Sequence, residues 1–95
     1  MMQQEYLMYK GYPLVRSGNR IYYGYMSDPY VVQLDITHKT SQNALEVADK
    51  VKLYQISTDE KLNPLEAIIK TSERNSLFEA LDLAFAWLER AEQGK

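Results

Sequence analysis

Cysteine is absent from the 95 residues, which removes disulfide frameworks, thiolate metal sites and cysteine nucleophiles together. Histidine occurs once, at His38. Carboxylates are then the main ligands left for a metal, and Asp28, Asp35, Asp49 and Asp59 do not fall into a D-x-D-x-D-G calcium loop. Glycine is sparse as well: Gly11, Gly18 and Gly24 are too widely spaced, in too strand-rich a context, to cradle a phosphate. No cofactor is expected. Apolar runs stay well short of the roughly 18 residues a membrane span requires, and the start, MMQQEYLMYKGYP, carries Glu5 before any apolar run forms and has no basic leader. A cytoplasmic protein without membrane contact is expected. Positive charge is not in excess either; with a net charge of -2 and a pI near 5.3, general binding to nucleic acid is disfavoured.

What is present reads as one ordinary globular domain spanning residues 1–95, at 45% apolar and 25% charged residues. The segment that organises it is the last quarter, SLFEALDLAFAWLERA from Ser76 to Ala91. Ser76 followed by Glu79 predicts a capping box, in which each side chain accepts the other residue's amide. At roughly 100° per residue, Leu77, Phe78, Leu81, Ala84, Phe85, Leu88 and Ala91 share one side and Glu79, Asp82, Glu89 and Arg90 the other.

Upstream the pattern changes to period two. YLMYK at 6–10 predicts a short edge strand ended by Gly11 and Pro13. LVR and RIYYGYM around Ser17-Gly18-Asn19 predict a hairpin, with Ile21, Tyr23 and Tyr25 toward the core. Ser27-Asp28-Pro29 predicts a reversal. From Tyr30 to Lys39, Val32, Leu34 and Ile36 line one face of a central strand. Residues 44–49 and 65–71 are ambiguous between strand and helix; strand is favoured for both, although Asn43 and Asn63 could each cap a helical turn. In KVKLYQIST, Val51 and Leu53 fall on one face and Tyr54 and Ile56 on the other, which predicts a β-bulge near Leu53. The fold class is therefore α+β: an antiparallel sheet of four to six strands with one C-terminal amphipathic helix across one face.

The runs KGYPLVRSGNRIYYG and LFEALDLAFAWLERA together resemble small uncharacterised single-domain proteins of Gram-positive bacteria. That resemblance implies a sheet-plus-helix domain and no functional residue.

Three features could carry function. His38 lies at the end of the central strand, where Asp35 points to the opposite face and Ser41 sits on a loop, so a rim histidine is expected rather than a catalytic base. The tyrosines are eight, seven of them before Val31. Tyr9, Tyr12 and Tyr22 beside Arg16 and Arg20 could form a stacking face for a small ligand or single-stranded nucleic acid, although no RNP-type motif accompanies them and tyrosine also suits a half-wet sheet. The helix, finally, has an apolar arc of roughly 180° when Ala80 and Trp87 are included, wider than the stripe of about 100° that one sheet contact requires. Leu83 lies beyond the arc and Trp87 on its border, the placement of an interface pair, unless the N-terminal strand or tail folds over Trp87. The expectation is a non-enzymatic interaction or regulatory domain that pairs with itself as a homodimer, through the Leu83 and Trp87 side of the helix or through an edge strand, or with another protein. The alternative is a ligand or single-strand binding module, and third is an enzyme whose carboxylates lie far apart in sequence.

Overall fold

Each strand pairs with the one before it, so the order of the chain is the order of the sheet. The computed structural model describes residues 5–93, and within them the strands are β1 (Glu5–Tyr9), β2 (Tyr12–Ser17), β3 (Arg20–Tyr23), β4 (Tyr30–Gln42), β5 (Leu45–Ser57) and β6 (Ile68–Arg74). They form a six-stranded antiparallel meander. A single helical turn, α1 (Pro64–Ala67), precedes β6, and the long helix α2 (Leu77–Gln93) closes the chain. No helix among the described residues is long and apolar enough to cross a membrane.

The turns follow from backbone chemistry. Lys10 and Gly11 (φ 49° and 89°) and Asn43 and Ala44 (φ 51° and 66°) both have positive φ throughout a two-residue loop, the geometry that matches the twist of paired strands. Glycine and asparagine accept it readily; Ala44, with a Cβ, does so at a cost.

Ile21, Tyr23, Val32, Leu34, Val51 and Leu53 alternate inward along β3, β4 and β5 and are fully buried. Cross-strand register puts them in continuous rows, Leu14–Tyr23–Val32–Gln55 and Arg16–Ile21–Leu34–Leu53. α2 lays Ala80, Ala84 and Leu88 on these rows; the two alanines allow the helix backbone to approach closely. Gly24 is part of the same contact, since a Cβ there would lie 3.3 Å from Leu88 Cδ2. Polar links fasten the helix flank: the Tyr12 hydroxyl donates to Glu89 at 3.2 Å and the Tyr9 hydroxyl to Asp82 at 3.3 Å.

Several expectations need correction in detail. From Val51 to Gln55 β5 keeps one phase, with Val51, Leu53 and Gln55 all inward; the apparent phase change arose because a core position is occupied by glutamine. Register shifts fall between Gln55 and Ile56, and at Ile36–Lys39 in β4, rather than at Leu53. Residues 45–49 are strand, whereas 65–71 divide into the α1 turn and the start of β6. The two-way capping box is found at α1: Asn63 Oδ1 accepts the Glu66 amide at 2.9 Å, and Glu66 Oε1 accepts the Asn63 amide at 3.4 Å. At α2 the Ser76 half is present, its hydroxyl accepting the Glu79 amide at 3.1 Å.

Candidate functional site

The wide apolar arc of α2 is used by the sheet itself. A twisted six-stranded sheet coils around a helix, so β1 and β2 reach one flank and β6 the other. Phe85 packs edge-on against Tyr12, with ring centroids 6.1 Å apart. Trp87, expected at an exposed interface, is only 7% exposed, and the Lys70 ammonium of β6 stands 4.8 Å from its ring centroid. Leu83 is half-buried against the same core. The expected exposure of this pair is therefore corrected: both side chains are taken up by intramolecular packing, with β6 providing the cover.

The proposed stacking face is divided between the two sides of the sheet. Tyr9, Tyr12 and Arg16 share the side covered by α2, because the Lys10-Gly11 turn pairs Tyr9 with Tyr12 and β1 pairs Glu5 with Arg16. Tyr22 and Arg20 lie on the opposite side. Tyr23, the residue after Tyr22, is buried with its hydroxyl donating to the Tyr9 carbonyl at 2.6 Å. Burial first, then the neighbouring Tyr9, Tyr12 and Glu89, push its hydroxyl pKa far above the ordinary value of 10.0. Arg16 Nε donates to the Gly18 carbonyl at 3.1 Å and Arg20 Nε to Asp35 at 2.9 Å. The Arg20 pKa is raised, chiefly by that hydrogen bond to Asp35.

His38 has a carboxylate partner that the sequence did not disclose. Across the β4–β5 hairpin its Nδ1 meets Asp49 Oδ1 at 2.5 Å, a contact created by the register shift at Ile36–Lys39. Both side chains are solvent-accessible. Among the described residues no cluster of three or more histidine, aspartate or glutamate side chains could hold a metal ion.

The unusual surface is the outer face of the sheet. Antiparallel sheets with one covered face commonly present polar side chains on the other. Here the middle outward row reads Val15–Tyr22–Gln33–Tyr54–Thr71 across β2 to β6, and the next row toward the start of β4 holds Pro13, Val31 and Ile56. Met26, 73% exposed, and Tyr22, 44% exposed, rim a hollow of about 500 Å³ that is also lined by Pro13, Val15 and Val31. The row on the other side is charged and alternates in sign: Arg20, Asp35, Lys52, Glu73 along β3 to β6. A second hollow of about 470 Å³ lies where the first turn of α2 meets the β4–β5 hairpin, beside Phe78, which is 78% exposed.

Comparison with protein-family models, with curated proteins and with solved structures finds no match to this chain. Its own surface chemistry carries the functional reading.

Proposed function

We propose that the chain is a non-enzymatic interaction domain that works by association through the outer face of its sheet, with a copy of itself as the partner. The observation that supports this is the apolar and aromatic content of that face. α2 packs on the other side, against the buried rows of β4 and β5, and leaves Val15, Tyr22, Tyr54 and Ile56 outward. Tyr22 is exposed and Val15, Tyr54 and Ile56 half-buried; contiguous apolar surface open to solvent marks contact sites, and tyrosine is enriched at them because it combines a large ring with a wettable hydroxyl.

This location replaces the Leu83 and Trp87 side of the helix, which has little free area to offer. A stacking platform for nucleic acid is less well supported. The tyrosines and arginines that would form it lie on opposite sides of the sheet, and Arg20 already pairs with Asp35.

Sedimentation velocity over a concentration series tests the proposal. Wild type should shift from monomer to dimer with rising concentration, and Tyr54→Glu or Tyr22→Glu, folded by circular dichroism, should remain monomeric. Outer-face variants that associate as well as wild type would refute it.

A further inference from the structure

We infer that two copies pair face to face about a two-fold axis running parallel to the strands and passing between β4 and β5. This rests on the outer face being the contact surface, and adds the orientation and the residues that set it.

The charged row sets the orientation. Arg20, Asp35, Lys52 and Glu73 stand on adjacent strands in one register line, about 4.8 Å apart at the usual strand spacing. Their signs run plus, minus, plus, minus. Turning a copy over about an axis along the strands reverses the strand order and keeps each row at its own height. Arg20 then faces Glu73 of the second copy, and Asp35 faces Lys52 of the second copy. Symmetry repeats both pairs, so every charge in the row meets its opposite. A two-fold interface requires a surface complementary to itself, and an alternating row of even length has that property.

The middle row agrees with the same operation. Gln33 comes to lie over Tyr54 of the second copy, and Tyr22 over Thr71. A two-fold axis across the strands, centred on the middle row, would instead put the charged row against Val31 and Ile56, leaving it only its neighbours in the same sheet, such as Asp35 for Arg20, as counter-charges. Stacked sheets cross at about 30°, an offset that lysine, arginine and glutamate side chains can span.

The footprint of β3 to β6 by three rows is roughly 20 × 20 Å at standard strand spacing and rise. That is about 400 Å² per copy, below the roughly 1,200 Å² total of stable interfaces and in the range of weak, transient ones, so association at about tens to a hundred micromolar is expected.

The test is a complementation of charge reversals read by sedimentation equilibrium of the full chain. Lys52→Glu and Asp35→Lys should each weaken self-association at least about tenfold, because each creates two like-charge contacts per dimer. Mixed in equal amounts they should associate again, to within about threefold of wild type, since Glu at 52 in one copy meets Lys at 35 in the other. Arg20→Glu with Glu73→Arg forms a second pair with the same logic, should a variant at Asp35 fail to fold. Wild-type dimers that tolerate every reversal, or folded reversals that stay apart when mixed, would overturn this orientation while leaving outer-face association intact. A wild type that stays monomeric at about millimolar concentration, far above the expected Kd, would overturn both and assign the face to a different molecule.

Discussion

Replacing Trp87 with alanine separates a packing residue from a contact residue. The indole is 7% exposed, belongs to the same cluster as Leu88 and Ala84, and has Lys70 over its ring. Tryptophan-to-alanine changes in cores cost about 3–5 kcal/mol, from lost transfer free energy and from the cavity left behind. Trp87 sits at the flank of the helix, where lysine methylenes supply part of its cover and the void can be partly filled by relaxation, so the packing loss belongs near 3 kcal/mol. The lysine contact adds about 0.5–1 kcal/mol. Out of the 5–15 kcal/mol that hold a domain of this size, that is a large share. With an m-value of about 1 kcal/mol/M in urea, the unfolding midpoint should fall by about 3.5–4 M. Far-UV circular dichroism is the appropriate probe, because the substitution removes the sole tryptophan. Lys70→Gln should reproduce only the smaller part, and the double-mutant cycle should give a coupling of about 0.5–1 kcal/mol. A loss below about 1 kcal/mol together with a change in oligomeric state would refute the packing role and restore Trp87 to an interface.

Three further outcomes are expected. Ala44→Gly should stabilise the protein by about 0.5–1 kcal/mol in urea denaturation, because the φ of 66° strains a side chain with a Cβ by more than glycine's added unfolded-state entropy costs. Gly24→Ala should destabilise it by about 1–3 kcal/mol, since it combines a φ of +118° with a Cβ 3.3 Å from Leu88; a smaller loss would show that the loop and Leu88 readily move. Tyr23 governs alkaline stability: its folded pKa lies above the unfolded value of 10.0, so its contribution is intact below pH 10. Above that the unfolded chain releases a proton that the folded chain keeps, and stability falls by up to about 1.4 kcal/mol per pH unit until the folded pKa is passed. The difference between wild type and Tyr23→Phe in unfolding free energy should therefore be flat to pH 10 and shrink above it; a constant difference would contradict the burial argument.

The elements legible in the sequence were those whose periodicity matched a single face. Leu77 to Ala91 at helical spacing, and Val32, Leu34 and Ile36 at alternate positions, described α2 and β4 directly, and glycine and asparagine marked the turns. Failures arose where a tertiary partner overrode local pattern. Gln55 broke an otherwise continuous inward row, and so β5 read as two phases. Asn63, Pro64 and Glu66 cap one turn only, and Ile68 already has the extended backbone of β6.

The candidate surfaces were the least legible. A helical wheel assumes a flat neighbour, so the arc of α2 looked too wide and Trp87 looked exposed, whereas strands on both flanks consume that width. Tyr9, Tyr12 and Tyr22 could not be assigned to faces until the Lys10-Gly11 turn and the β1–β2 register were known. The pairing of His38 with Asp49 and the alternating charges of Arg20, Asp35, Lys52 and Glu73 are likewise products of cross-strand register. Residues far apart in the chain meet there, and no local spacing announces it.

The most direct measurement of the central claim is the dilution dependence of backbone amide resonances, followed from about millimolar to about ten micromolar protein, a range that brackets the expected Kd. Shift changes should concentrate at Tyr22, Gln33, Asp35, Lys52, Tyr54 and Thr71 and leave Leu81 to Leu88 unmoved. Changes centred on α2, or spectra independent of concentration across that range, would contradict the assignment of the outer sheet face as the surface through which this protein acts.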